Sequence, residues 1–263
     1  MINIKRLIQS LLLAACVSVP TIASAQTIND IIGRGKVRIG VLVGAPPYGM
    51  IDATGAPTGY DTDVAKLVGK YLNLPVELVA LTPPSRIPAL EAGKVDFLVA
   101  TLAPTAERAK AEMFTMPYSA FLVYVYGKKD TAIKGWADLK GLKVGVNRGS
   151  SVEPMLVAHQ ADGLTVVRFE DDSTTMQALF SGQVDAVAEP DAQANAAIKA
   201  RGNVDMETKF MISKQPNSMT VRKDAFELHQ WLNNAIYLMK LNGDLDAISR
   251  KWVGSPLPEL PVF

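Results

Sequence analysis

The sequence predicts an α/β protein of two lobes, each built on a parallel sheet, with two strands crossing between them. Three observations carry this. Ala89-Leu90-Glu91-Ala92-Gly93-Lys94-Val95-Asp96-Phe97-Leu98-Val99-Ala100 is answered by Ala178-Leu179-Phe180-Ser181-Gly182-Gln183-Val184-Asp185-Ala186-Val187-Ala188-Glu189. In each, a helix ends at a glycine that can turn left-handed, and a short buried strand follows. Earlier in each half, Val37-Arg38-Ile39-Gly40-Val41 and Leu142-Lys143-Val144-Gly145-Val146 read as a strand, then a glycine- or proline-bearing loop, then a helix. Between the halves, Phe121-Leu122-Val123-Tyr124-Val125-Tyr126 is a strand placed to cross from one to the other. Strands that alternate with helices form parallel sheets, because the crossover helix covers a sheet face. Two such units in matching order mean two lobes.

The chain of 263 residues opens on Lys5 and Arg6, an apolar stretch from Leu7 to Val19, and the small-residue ending Ala23-Ser24-Ala25. This is the pattern of a secretory signal peptide, residues 1–25, cleaved after Ala25. Leu13-Ala14-Ala15-Cys16 also fits the pattern before a lipid-modified cysteine, but the apolar run ahead of Cys16 is short and the better small-x-small site lies downstream. No other stretch supplies the roughly 18 uncharged apolar residues of a spanning helix, so a soluble, periplasmic protein is expected. Cys16 is the one cysteine, so the mature chain has no thiol chemistry, disulfide or cysteine-bound metal. Without Lys5 and Arg6, 25 basic residues face 26 acidic ones, a net charge of −1, which argues against a nucleic-acid partner.

The first α/β unit runs from about Val37 to Ala120 and the second from about Lys128 to Lys214. A second crossing is expected near Ser218-Met219-Thr220-Val221, after Pro216 and Asn217 read as turn residues. Lobe 1 then comprises residues 26–121 and 218–263, and lobe 2 residues 122–217. Phe226, Leu228, Trp231, Leu232, Ile236, Met239 and Leu241 lie at helical spacing and predict an amphipathic helix; a shorter one through Leu245, Ile248 and Trp252 ends the fold.

Ligands of open parallel sheets bind beyond the carboxyl ends of the strands. Four loops qualify: Gly44 to Tyr48, Thr101 to Arg108, Gly149 to Glu153, and Glu189 to Asp191. Thr105 is a natural N-cap and Arg108 falls in the first helical turn, so N–H groups, a hydroxyl and a guanidinium fork would receive a carboxylate; a solvated helix face is the alternative. Gly149-Ser150-Ser151 offers hydroxyls from the other lobe, or an ordinary N-cap. Glu189 and Asp191 flank Pro190 and either accept from an ammonium group or cap the next helix. Arg86, in Pro83-Pro84-Ser85-Arg86-Ile87-Pro88, binds an anionic ligand end or makes a structural ion pair.

These residues resemble the family-3 extracellular solute-binding proteins, the polar amino-acid receptors of ABC importers. The resemblance covers essentially the whole mature chain and rests on Gly59-Tyr60-Asp61-Thr62-Asp63-Val64-Ala65, Ile87-Pro88-Ala89-Leu90 through Asp96, Thr105-Ala106-Glu107-Arg108, Met116-Pro117-Tyr118, Asp138-Leu139-Lys140-Gly141 through Val146, and Gly182-Gln183-Val184-Asp185-Ala186, in the family's order. It implies a periplasmic-binding-protein-like type II fold and an amino acid held in the cleft, without cofactor or metal, by a monomer that docks on a membrane permease. Arg108 would take the α-carboxylate with Thr101 and the backbone around Ala103, Ser150 and Ser151 would reach it from lobe 2, and Tyr48 would line the side-chain pocket. The loop carrying Arg86 is similar to that of acidic amino-acid receptors, which tilts the expected ligand toward glutamate or aspartate. Two departures stand out. The family's ammonium-binding aspartate falls on Pro190, leaving Glu189 or Asp191 to replace it, and residue 103, often serine, is alanine; if neither acid reaches the cleft, the alternative ligand is a small carboxylate or opine-like compound without an α-ammonium.

Two other functions fit the same scaffold. A dehydratase-like enzyme would need an acid in the cleft, for which Glu189 is the candidate; yet His159 and His229 fall on predicted helices away from the loops, and no nucleophile-base set is present. A ligand sensor for a membrane receptor would need the same closed state as a transporter's receptor.

Overall fold

The computed structural model describes residues 27–202 and 204–260; the expected signal segment, with Cys16, lies outside the described residues. After a first helix α1 (Ile28–Arg34) come strand β1 (Val37–Leu42), a small hairpin of β2 (Met50–Ile51) and β3 (Pro57–Thr58), helix α2 (Tyr60–Leu72), β4 (Val76–Leu81), α3 (Arg86–Glu91) and β5 (Phe97–Leu102). A long strand β6 (Glu112–Lys128) leads to β7 (Lys143–Asn147), α4 (Glu153–Ala158), β8 (Thr165–Phe169), α5 (Asp172–Ser181), β9 (Ala186–Pro190) and α6 (Asp191–Arg201). A second long strand β10 (Met206–Arg222) returns, and helices α7 (Phe226–Leu241) and α8 (Asp244–Val253) follow.

The strands lie in the order β4-β1-β5-β10-β6-β9-β7-β8. At one end β4, β1 and β5 run parallel; at the other β8, β7 and β9 do. Between them β6 and β10 pair antiparallel along their length, from Glu112 opposite Arg222 to Lys128 opposite Met206. The far half of β10 pairs with β5, and the far half of β6 with β9. Each long strand therefore belongs to both lobes, and the backbone near Phe121 and Gln215, which face each other, is where one lobe passes into the other.

The repeated sequence does the same work twice. The N–H of Asp96 donates to the Arg38 carbonyl at 2.8 Å and its carboxylate accepts from the Arg38 N–H at 2.8 Å. In lobe 2 the N–H of Asp185 donates to the Lys143 carbonyl at 2.9 Å while its carboxylate accepts from the Lys143 N–H at 2.8 Å. Each aspartate so anchors the start of the last parallel strand to the first. Gly93 and Gly182 end their helices at φ 65° and 75°, values that L side chains resist. Asp96 differs in being fully buried against the guanidinium groups of Arg34 and Arg38.

Two expectations change. Pro216 and Asn217 are not turn residues: they lie inside β10, opposite Ala120 and Ser119. A proline gives a ladder no N–H, and it is accommodated beside a register shift between Asn217 and Ser218. On α7, Leu228, Leu232, Ile236 and Met239 are buried as their spacing predicts, but Phe226 and Leu241, its first and last residues, are both 68% exposed. Among the described residues, no helix is long and apolar enough to cross a membrane.

Candidate functional site

The loops at the carboxyl ends of both parallel sets face each other across a cavity of about 40 Å³. Lobe 1 contributes Arg86, Thr101 and Arg108; lobe 2 contributes Asn147, Ser150, Ser151, Asp172 and Gln193; Phe121 and Gln215 of the crossing strands close the back.

Arg86, the first residue of α3, is 4% exposed. It donates to the carbonyls of Pro83 and Ala100, both at 2.9 Å, and Thr101 at 3.3 Å, and across the cleft to the Gly149 carbonyl at 3.2 Å. Burial first, and then the like charge of Arg108, pull its pKa down to about 9, so it stays cationic at neutral pH. Arg108 is not in an α-helix, as its spacing suggested, but in a single 3₁₀ turn, Arg108–Lys110; the Thr105 hydroxyl accepts from its N–H at 3.2 Å. Its guanidinium donates to the Ala103 carbonyl at 2.8 Å and to the Gly149 carbonyl at 2.8 Å. Two cations from lobe 1 thus converge on one carbonyl oxygen of lobe 2.

Thr101 holds φ 43°, rare for a β-branched residue. The strain, on the order of 1–3 kcal/mol, is held by a buried chain: the Thr101 N–H donates to the Tyr118 hydroxyl at 3.0 Å, which donates to Asp61 at 2.7 Å. The kink leaves the carbonyls of Ala100 and Thr101 both within reach of Arg86.

In lobe 2, Ser150 lines the cavity and its hydroxyl accepts from the N–H of Glu153, the first residue of α4, at 3.2 Å. Ser151 donates to Gln215 at 2.6 Å, tying its loop to a crossing strand. Asp172, the first residue of α5, is buried yet lines the cavity. Behind it sits Glu189, fully buried, with no hydrogen-bond partner of good geometry at either oxygen. Burial, then the negative charge of Asp172, push its carboxyl well above the ordinary carboxylate range, and burial raises Asp172 as well, though less strongly. Glu189 thus lies behind the cavity wall and not in its lining.

A stability consequence follows. Glu189 binds a proton in the folded protein at pH values where the unfolded chain has released it, so stability falls as pH rises from about 4.5 toward the raised folded pKa, by about 1.4 kcal/mol per pH unit for one proton. Asp172, Asp171 and the Thr175 hydroxyl are the groups acting on it. Glu189→Gln is expected to flatten this slope and raise the melting temperature above pH 7; an unchanged slope in melts from pH 5 to 9 would contradict the assignment.

Tyr48 and Asp191 lie elsewhere. Tyr48 is 2% exposed, its ring 5.2 Å from Tyr60 and 5.8 Å from Phe121. It lines a second cavity, of about 270 Å³, together with Asp191 and Lys214. The Asp191 carboxylate accepts from the N–H groups of Ala192 at 2.9 Å and Leu122 at 3.3 Å, the capping role weighed against the ammonium role. The second cavity is the roomier and also holds an acid and a base, but the first lies between the carboxyl ends of both parallel sets, gathers Arg86, Arg108 and Asp172, and is the candidate site. Ala103 borders it only through the carbonyl that holds Arg108. His159 stacks on Trp136 at 4.1 Å and His229 meets the Phe114 carbonyl at 2.9 Å, neither in the cavity lining.

Sequence reasoning missed Asp172, Asn147, Gln193 and Gln215. The rule that found the other loops applies equally to Glu170-Asp171-Asp172, which follows β8. Asp171 caps α5, accepting from the Thr174 N–H at 2.8 Å; its neighbour Asp172 enters the cavity.

The model of the bacterial extracellular solute-binding proteins, family 3, matches residues 37–255. The L-cystine-binding protein TcyJ of Escherichia coli is 28% identical over 250 residues, 94% of each chain. Among solved structures, an ancestral arginine-binding protein bound to glutamine is 37% identical, with a TM-score of 0.79 over 84% of this chain and 99% of its own. An ancestral amino acid-binding protein described as a precursor of cyclohexadienyl dehydratase is 30% identical, with a TM-score of 0.78 over 86% of this chain and 98% of its own.

Proposed function

Since the chain belongs to the bacterial extracellular solute-binding proteins of family 3, we propose that it is a periplasmic receptor that captures an α-amino acid between its lobes and presents it to the permease of an ABC importer. Lobe 1 would be residues 26–121 and 218–263 and lobe 2 residues 122–217, hinged where β6 and β10 pass from one parallel set to the other. The observation that carries the reading is the placing of charge: Arg86 and Arg108 of lobe 1 and Asp172 of lobe 2 line one cavity, a receptor for a zwitterion. A ligand drives closure only by its extra affinity for the closed form, so residues of both lobes have to touch it.

Arg108 is the carboxylate receptor in this reading. Of five guanidinium N–H donors it commits two to carbonyls, and the Gly149 oxygen marks where an anionic oxygen would sit. Arg86 commits four and faces Asp172, which weighs against its holding a side-chain carboxylate and removes the main support for an acidic ligand. Relatives described as binding cystine, arginine and glutamine favour an amino acid without choosing its side chain. Catalysis by Glu189 has less support, since that acid is buried behind Asp172.

A thermal-shift screen of the signal-free protein against amino acids and organic acids tests this. A binder at 100 times its Kd stabilises the native state by about 2.7 kcal/mol, and at least one amino acid is expected to do so; shifts by organic acids alone would refute the reading. A gene neighbourhood with permease and ATPase genes is expected, whereas a lone receptor-kinase neighbour would favour sensing.

A further inference from the structure

The internal repeat makes two side chains equivalent. Arg86 is the first residue of α3, the helix after the second parallel strand of lobe 1, and Asp172 is the first residue of α5, the helix after the second parallel strand of lobe 2. Both are 4% exposed and both line the same cavity. Each feels the other's opposite charge. The fold therefore presents one element twice, once as a cation and once as an anion.

The anionic copy is built to accept. Glu189 stands behind Asp172 with its carboxyl pushed above the ordinary range by burial and by the charge of Asp172, and Asn147, whose amide oxygen accepts from Thr175 at 2.5 Å, supports Asp172 from β7. Beside it Gln193, on the first turns of α6, is 3% exposed and lines the cavity, and its amide oxygen has no hydrogen-bond partner. A buried acceptor left unpaired is costly, and here it lies in the same cavity wall as a buried carboxylate. Pro190, in that wall too, offers no charge, and Asp191 is engaged at the second cavity.

Resting on the amino-acid reading above, we propose that the Asp172 carboxylate and the Gln193 amide oxygen form the receptor for the ligand's ammonium nitrogen, in place of Glu189 or Asp191. An ammonium donates three hydrogens and accepts none, which suits a wall to which two neighbouring residues bring acceptor oxygens.

The test is calorimetric titration of the signal-free protein and of Asp172→Asn with L-cystine, L-arginine, L-glutamine, L-histidine and L-glutamate, and with the 2-oxo acid of each carbon skeleton. Wild type is expected to prefer an amino acid over its 2-oxo acid by about 100-fold or more, and Asp172→Asn to lose most of that preference while still binding the 2-oxo acid. Gln193→Ala, which leaves both acids in place, is expected to cost about tenfold for the amino acid only, and it carries the test should Asp172→Asn fail to fold. Full affinity and preference in either folded variant would overturn the subsite while leaving the amino-acid reading intact. Wild type that binds 2-oxo acids as well as amino acids, or binds none of the compounds, would overturn the amino-acid reading and this inference with it.

Discussion

Arg108→Ala is expected to weaken ligand binding by more than about 100-fold while leaving the unliganded protein folded. A hydrogen bond to a charged partner contributes about 1.5–3 kcal/mol, and a guanidinium fork makes two, so losing both costs at least about 3 kcal/mol, or two decades in Kd. The fold should tolerate the change, because Arg108 sits on a single 3₁₀ turn and its side chain contacts backbone carbonyls of loops. Calorimetry on a variant with native circular dichroism checks both halves; unchanged affinity would remove Arg108 from the site.

Gly149→Ala should be nearly as damaging, for a different reason. Gly149 has φ 71°, and a Cβ there would lie 3.1 Å from Pro84 Cα, a backbone atom of the opposite lobe. Its carbonyl is also the one that Arg86 and Arg108 both meet. A methyl group at this point strains the backbone and presses against the opposite lobe. Binding is expected to fall about 10- to 100-fold, and small-angle scattering should show a larger radius of gyration in the presence of ligand than for wild type. Wild-type affinity in Gly149→Ala would mean that the contact is not part of the bound form. Gly44 is the corresponding point on the lobe 1 side: a Cβ would lie 2.7 Å from the Asp171 side chain, and its carbonyl accepts from the Ser173 N–H and hydroxyl at 2.9 and 3.0 Å.

The two-lobed plan was legible because the repeat encodes backbone geometry. A glycine that ends a helix and an aspartate that anchors the next strand are local requirements, and Gly93-Lys94-Val95-Asp96 and Gly182-Gln183-Val184-Asp185 meet them in the same way. Arg108, Ser150 and Ser151 were legible because they stand on loops beyond strand ends. Tyr48 was not: an aromatic residue in a loop reads equally as pocket wall or core, and only packing against Tyr60 and Phe121 decides. Asp191 was no more legible, since a carboxylate at a helix start can accept from backbone N–H groups as readily as from a ligand. Asp172 was hidden by Asp171. Two adjacent acids cannot both cap one helix, and which of them turns inward depends on burial that spacing does not encode. Pro216 misled because a proline between two strands usually marks a turn, whereas here the strand absorbs it at a register shift.

The bound ligand is expected to be a zwitterion held between Arg108 and Asp172. A crystal structure with the amino acid that gives the largest thermal shift tests this most directly. The prediction is a ligand in the first cavity, its carboxylate within hydrogen-bond distance of the Arg108 guanidinium and its ammonium nitrogen against Asp172. A ligand in the cavity lined by Tyr48 and Asp191, or one that touches a single lobe, would contradict it.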